Sequence, residues 1–237
     1  MIDKSILTVA VLAAAALLLP AARAADLPTP YIAPTLPAEF QWSGPYVGDR
    51  IGGGGGVEHD NLTPGALPTA DSFSLGGGLA GVYAGMNWQQ DHYVYGFEGN
   101  ADFANLSGSH DFSLASGDLT GTMSLTTDWQ GSFRGRAGYA VNRTLFYVAA
   151  GLAAAHATVH VSGQGLLEPF DVSDTGVHFG PTIAGGVEYA VTDQLMARGE
   201  AQFTSFANHT YELGDNFKPT SVRWDQLTAT LGLSYKF

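Results

Sequence analysis

The chain closes on the stretch QLTATLGLSYKF (226–237), and this stretch decides the fold. Leu227, Ala229, Leu231, Leu233, Tyr235 and Phe237 fall on one side of an extended strand. Gln226, Thr228, Thr230, Gly232, Ser234 and Lys236 fall on the other. Side chains alternate across a strand, so this period-two pattern describes one apolar and one polar face. A soluble antiparallel sheet alternates in the same way. Here, however, the alternation runs to the last residue and ends on an aromatic.

Working outward, the same pattern recurs along the chain. Tyr93, Tyr95, Phe97, Ala101 and Phe103 alternate with Glu98, Asn100 and Asp102. Trp129, Phe133, Ala137 and Tyr139 alternate with Gln130, Ser132, Arg134 and Arg136. Leu195, Ala197, Ala201 and Phe203 oppose Arg198, Glu200 and Gln202, and Ile183, Val187 and Tyr189 oppose Thr182 and Glu188. Val82, Ala84, Met86 and Trp88 oppose Tyr83 and Asn87. Leu145–His160 is Ala-rich, with His156, Thr158 and His160 on one face, and Trp42–Gly54 is dominated by Gly.

This reading predicts eight strands of roughly 10–15 residues, enough for the roughly 9–11 a tilted membrane strand needs. Their connections alternate in length. Gln90–His92, Val141–Thr144 and Val191–Gln194 are short and carry turn residues such as Asn142 and Asp193. Glu58–Ser74, Ser107–Asp128, Val161–Val177 and Asn208–Thr220 are long and polar. Short and long connections in alternation are the topology of a membrane barrel, with short turns in the periplasm and long loops outside. In lipid every backbone N–H and C=O needs an internal partner, so without helices only a closed barrel spans. The expectation is therefore all-β: an eight-stranded antiparallel up-and-down transmembrane β-barrel over residues 42–237.

The composition agrees. Of 237 residues 31 are Gly, none is Cys, 45% are hydrophobic and only 14% charged, and the net charge is −12. An ordinary soluble domain carries about 25% charged residues. Ten basic residues give no Lys/Arg face for nucleic acid. Absence of Cys excludes disulfides and a Cys-ligated zinc site.

Residues 1–24 read as a signal peptide: Lys4 supplies a positive start, Ile6–Leu19 an apolar run, and Ala22-Arg23-Ala24 a small-x-small cleavage site. Residues 25–41 hold Pro28, Pro30, Pro34 and Pro37 and read as a Pro-rich periplasmic arm.

Five segments in order carry a resemblance. They are Trp42-Ser43-Gly44-Pro45-Tyr46-Val47-Gly48; Asn87-Trp88-Gln89 with Tyr95-Gly96-Phe97-Glu98-Gly99; Arg134-Gly135-Arg136-Ala137-Gly138-Tyr139-Ala140; Gly185-Gly186-Val187-Glu188-Tyr189-Ala190; and Gly232-Leu233-Ser234-Tyr235-Lys236-Phe237. Together they resemble the small eight-stranded outer-membrane β-barrel family of alphaproteobacteria, porin-like and similar to the OmpA-like transmembrane barrel. The resemblance implies a structural protein of the cell outer membrane. Tyr235 and Phe237 resemble the C-terminal signal read by the barrel assembly machinery. Asp49 and Arg50 depart from the Gly-Asn of the family pattern. By parity with Val47 and Ile51, Asp49 faces lipid; it lies near an interface, pairs with Arg50, or marks a bulge.

The inward faces collect Glu98, Asp102, Arg134, Arg136, Glu188, Arg198 and Glu200. An eight-stranded bore is about filled by side chains, and an unpaired buried ion is costly. These seven are thus expected to form an interior charge network, with the lining of a narrow ion path as the competing role. A wide diffusion pore needs roughly 16–18 strands.

A lipid-modifying enzyme would need a nucleophile–base pair near a rim. His156, Thr158, His160 and Ser162 show no acid at readable spacing, and are expected as polar interior and loop-base groups. Two His four residues apart on a strand are separated by about 13 Å and cannot share one metal. No catalytic, cofactor or metal site is therefore expected.

Trp42, Trp88, Trp129 and Trp224 read as interfacial girdle residues. Asp111, Asp118, Glu168, Asp171 and Asp215 read as acidic loop residues, solvated or holding divalent cations against lipopolysaccharide. The expected function is a structural barrel supporting envelope integrity and surface presentation, or alternatively a narrow porin-like channel. A soluble secreted β-sandwich is the reading from another class. Expected partners are outer-membrane lipid and lipopolysaccharide, the barrel assembly machinery and, for an oligomeric barrel, further copies of the chain.

Overall fold

A computed structural model describes residues 40–60, 74–113, 120–164, 169–211 and 220–237. Eight strands follow in order: β1 Gly44–Asp60, β2 Ser74–Gln90, β3 Tyr93–Ser113, β4 Thr120–Val141, β5 Thr144–Gln164, β6 Pro169–Ala190, β7 Leu195–Tyr211 and β8 Thr220–Lys236. Each pairs antiparallel with the next, and β8 returns to β1 to close a barrel. The segments expected as signal peptide and arm, up to residue 39, lie outside the described residues, as do Asp118, Glu168 and Asp215.

The three short turns fall at one end. Asp91-His92 and Asn142-Arg143 are two-residue hairpins, with Asp91 at φ 53° and Asn142 at φ 54°. Asp and Asn tolerate this left-handed conformation better than other side chains. At the third turn Thr192 Oγ1 accepts hydrogen bonds from the amides of Gln194 (3.2 Å) and Leu195 (2.9 Å).

The strands are longer than the sequence pattern suggested, 17 to 22 residues. Most of the expected loops Ser107–Asp128 and Val161–Val177 is strand: β3 and β4 pair up to Ser113↔Thr120, and β5 and β6 up to Gln164↔Pro169. Asp111 and Asp171 are accordingly strand residues. Asp111 accepts from Thr122 Oγ1 at 2.6 Å, and Asp171 lies 3.5 Å from His160 Nε2.

The outer face explains why these segments looked like loops. From the turn end up to about Phe103, Trp129, Ala154, Val177 and Phe203 the outward residues are mostly apolar and aromatic, with Asp49 an exception. They include Tyr95, Phe97, Phe133, Val148, Leu152, Ile183, Leu231 and Leu233. Above that height the pattern inverts. Asn105, Asp128, His156, Thr158, His160, Ser173 and Thr175 point outward, while Leu125, Ala155, Ala157, Val159 and Val161 are buried inside. Below the boundary the wall meets lipid, and above it water.

Register shifts lie at the boundary, between Phe103/Leu106, Thr127/Trp129 and Phe206/His209. A β-bulge increases local twist and re-aims side chains. At β4 the extra residue leaves both Asp128 and Trp129 exposed.

The first strand has unbroken ladders to β2 and β8. Asp49 faces outward as its parity indicated, opposite Val82 and Leu233, and no bulge occurs there. It does not pair with Arg50, because the two side chains sit on opposite sides of the wall. The Gly run serves close packing against β8. A Cβ on Gly54 would lie 2.6 Å from Thr228 Cγ2, and one on Gly52 2.9 Å from Thr230 Cγ2.

Candidate functional site

The bore is filled in layers. At the turn end Phe40, Trp42, Val94, Leu145 and Met196 form an apolar plug. Trp42 is 1% exposed and meets Phe40 edge-on at 4.7 Å; its amide donates to Gln89 Oε1 at 2.6 Å. Arg143 and Lys236 lie over the Phe40 ring at 5.5 and 5.0 Å. Phe40, placed by sequence in the arm, therefore belongs to the barrel mouth.

Above this plug lies a charge belt containing all seven inward residues named from sequence. Glu98 on β3 is its hub. It accepts from Arg134 Nη2 at 2.8 Å, Arg136 Nη1 at 3.2 Å and Arg198 Nη1 at 2.9 Å, with a second bond from Arg198 Nη2. Tyr46 OH also donates to Glu98, at 2.7 Å. Glu200 accepts from Tyr147 OH at 2.6 Å and lies 2.9 Å from Arg134 Nη1. Glu188 accepts from Arg198 Nε at 2.7 Å and lies 3.0 Å from Arg136 Nη2.

Asp102 is clamped by a residue the sequence reading left out. Arg50 Nε donates to its Oδ1 at 2.6 Å, and Arg50 Nη2 to its Oδ2. Arg50 Nη1 also reaches Glu200 at 3.4 Å. With Arg50 included, four guanidiniums face four carboxylates, and the belt is electrically balanced.

Three tyrosines complete it. Arg136 sits 4.0 Å from the Tyr147 ring centroid, and Arg198 4.0 Å from that of Tyr83. Tyr83 fits because Gly48 lies beneath it: a Cβ there would come within 2.7 Å of the Tyr83 ring. The alternation of Tyr83 with Val82 and Ala84 places it opposite the apolar face of β2. The weak pattern of the Gly-rich first strand hid Arg50.

Next comes a neutral polar layer. Gln226 Nε2 donates to Gln130 Oε1 at 2.7 Å, and Arg134 Nη1 donates to Gln202 Oε1 at 3.1 Å, tying this layer to the belt. The tall end is then filled by Leu75, Leu125, Val159, Phe206 and Trp224. Trp224 is fully buried against Phe206 (4.6 Å) and His178 (4.4 Å). Trp42 and Trp224 are thus interior residues, not the girdle residues expected. Indole is large enough to close a narrow bore, and that use wins here. Trp88 and Trp129 do face outward.

His156 and His160 are also not interior. Both project from the outer face of β5 just above the apolar band. His156 Nδ1 lies 3.3 Å from Asp128, and its ring stacks on Trp129 at 5.8 Å. The acids the sequence did not reveal come from neighbouring strands: Asp128 for His156 and Asp171 for His160. Only the register brings them there. Each histidine has its own aspartate, and no group of three or more metal-capable side chains forms among the described residues. At the other end Tyr235 and Phe237 face outward with ring centroids 5.2 Å apart, and the Phe237 amide donates to Pro45 O at 3.1 Å.

The model of an outer membrane protein beta-barrel domain family matches residues 9–237. The 25 kDa outer-membrane immunogenic protein of Brucella abortus biovar 1 is 29% identical over 201 residues, covering 84% of this chain and 81% of that protein. The 22 kDa outer membrane protein of Rhizobium leguminosarum bv. viciae is 33% identical over 157 residues, covering 66% and 64%. Among solved structures, Neisserial surface protein A aligns with a TM-score of 0.44 at 15% identity, over 82% of this chain and 98% of that one.

Proposed function

Because the chain belongs to the outer membrane protein beta-barrel domain family, and is a protein of the outer membrane as its relatives are, we propose that it is a structural barrel. In this role it supports the envelope and presents its tall end outside the cell. The orientation follows the general rule that short turns face the periplasm.

One observation carries this reading: among the described residues the bore is filled by packed side chains from one end to the other. The balanced Arg–carboxylate belt lies between an apolar plug around Trp42 and another around Trp224. A path for ions would require displacing a plug and breaking buried pairs, each at about 3–5 kcal/mol. The outward, separately paired His156 and His160 support a non-enzymatic role. Tyr235 and Phe237, at the end of β8, are suited to recognition by the barrel assembly machinery. The aromatic outer band is suited to lipid and lipopolysaccharide.

Planar-bilayer recording of the purified, refolded protein tests the proposal. The expected result is a silent bilayer. Steady open currents would instead assign the charge belt to a narrow porin-like channel.

A further inference from the structure

The outer wall just above the apolar band carries a polar patch on β4, β5 and β6 that the packing of the bore does not use. On β5 the outward residues run Phe146, Val148, Ala150, Leu152 and Ala154, and then His156, Thr158 and His160. His156 is thus the first polar group of β5 above the lipid-facing wall. His160 stands four residues further along the strand, about 13 Å at a rise near 3.3 Å per residue. At a strand tilt of about 40° this is about 10 Å further from the band.

The register builds rows across the three strands. At the band edge Trp129, His156 and Val177 lie side by side. The row of Thr158 joins three hydroxyls, with Thr126 on β4 and Thr175 on β6. The row of His160 adds Ser124 and Ser173. Trp129 is exposed, and its ring lies within 11° of parallel to that of His156.

Each imidazole is oriented by a carboxylate. Asp128 meets His156 at Nδ1, 3.3 Å away, and Asp171 meets His160 at Nε2, 3.5 Å away. The second nitrogen of each ring points away from its aspartate. Both side chains reach solvent, at 29% and 44% exposure. An imidazolium held in this way donates one N–H to the aspartate and the other outward. An acidic oxygen placed there completes a chain of charge-assisted hydrogen bonds from aspartate through imidazolium to the ligand.

We propose that this patch binds the head of a phosphorylated glycolipid of the outer leaflet, lipopolysaccharide, with one acidic group on His156, a second on His160 and a sugar over the threonine row. The proposal deepens the structural reading and rests on its orientation, with the tall end outside. Continuity with the wall selects a lipid, since acyl chains along Val148 and Leu152 end directly below His156. Spacing selects the class. A glycerophospholipid places its phosphate at one level, next to the band, whereas two histidines about 10 Å apart in height match acidic groups at two levels of a sugar head. The hydroxyl row between them matches the sugar.

The charges make binding depend on pH. His156 faces Asp128 and Trp129 of β4 and Val177 of β6; His160 faces Ser124 of β4 and Asp171 and Ser173 of β6. With neutral imidazoles the two aspartates repel an anionic head. Binding therefore takes up a proton from water at each histidine, and acid strengthens it.

The test titrates the full refolded protein in non-ionic detergent micelles at about pH 5.5 and about pH 8.0, below and above the ordinary imidazole range. The probes are rough lipopolysaccharide with a phosphorylated core, the same lipid after removal of its phosphates, phosphatidylglycerol, and inorganic phosphate. The His156→Gln/His160→Gln double variant is the reference, because acid also protonates the lipid itself; heat-shifted gel mobility confirms that it is folded.

Lipopolysaccharide should bind about tenfold or more tighter at the lower pH, and the double variant should lose that difference. Phosphate removal, or replacement by phosphatidylglycerol, should weaken binding about tenfold at the lower pH. The same pH dependence in the double variant, or unchanged affinity after phosphate removal, overturns the proposal. Equal, histidine-dependent binding of phosphatidylglycerol overturns it in favour of ordinary phospholipid, and equal binding of inorganic phosphate in favour of a free-anion site. Bilayer conductance does not enter this test, so a failure here leaves the closed-barrel reading standing, and open currents leave this site standing.

Discussion

Glu98→Gln isolates what the charge belt contributes. The substitution keeps the shape but removes the charge that meets Arg134, Arg136 and Arg198. Three carboxylates then face four guanidiniums in a bore where Glu98 and Arg134 are 2% and 0% exposed. Breaking a buried pair from one side costs about 3–5 kcal/mol, because the remaining charge is left without a counter-ion. The Gln oxygen still accepts from Tyr46 or one guanidinium, which favours the lower end, about 3 kcal/mol. At a urea dependence of about 2 kcal/mol per M, that lowers the unfolding midpoint by about 1.5 M. Reversible urea unfolding in phospholipid vesicles, followed by tryptophan emission and heat-shifted gel mobility, measures it. Combining it with Arg198→Met restores the balance, so the double variant should be at least about 1 kcal/mol more stable than the summed single costs. A midpoint change under about 0.5 M, or full additivity of the two costs, would refute the idea that the belt acts as one balanced unit.

Further outcomes follow from the same geometry. Asp49→Leu removes a carboxylate from the lipid-facing side and should stabilise the barrel by about 1–2 kcal/mol in the same vesicle assay, in line with depth-dependent costs of charge on this face. Gly54→Val drives side-chain atoms into Thr228 and should abolish the heat-shifted folded band, whereas Gly76→Val, at a position with open space, should retain it. Trp42→Ala empties the turn-end plug and should cost about 3–5 kcal/mol, the range for buried aromatic truncations. His156→Ala removes an exposed stack on Trp129 and should change stability by under about 0.5 kcal/mol.

The lipid-embedded half of the fold was legible because its two faces meet different media. Leu231 and Leu233 face out, Thr230 and Ser234 face in, and the alternation survives in the sequence. The upper wall was not legible. Water lies outside it, so His156, Thr158 and His160 moved outward and Ala155, Ala157 and Val159 inward, and polar strands read as loops. The belt was read almost whole, since seven of its charges stand in clear period-two segments; Arg50 was lost in the Gly-rich first strand. Trp42 and Trp224 misled because indole serves an interface and a narrow interior equally well. The aspartates beside His156 and His160 come from neighbouring strands: Asp128 reaches His156 through a bulge in β4, Asp171 reaches His160 diagonally across the unbroken β5–β6 ladder, and no spacing rule reveals either.

The belt also answers a problem that lipid creates. In water, burial of an apolar face fixes strand register, since a one-residue slip exposes that face. In a bilayer the outside is already apolar, so an apolar interior would make the two faces nearly equivalent and a slip cheap. Inward charges remove that equivalence. A one-residue slip of β4 would turn Arg134 and Arg136 to lipid, at roughly 2–4 kcal/mol each near the midplane, and would strand Glu98, their partner on β3. The Gly residues beside them act in the same direction: Gly48 admits Tyr83, and Tyr83 in turn packs on Arg198. On this argument a buried ion network, a weak source of stability in a soluble core, specifies pairing in this barrel, and the energetic test is Glu98→Gln together with a count of misregistered, heat-unstable product on refolding.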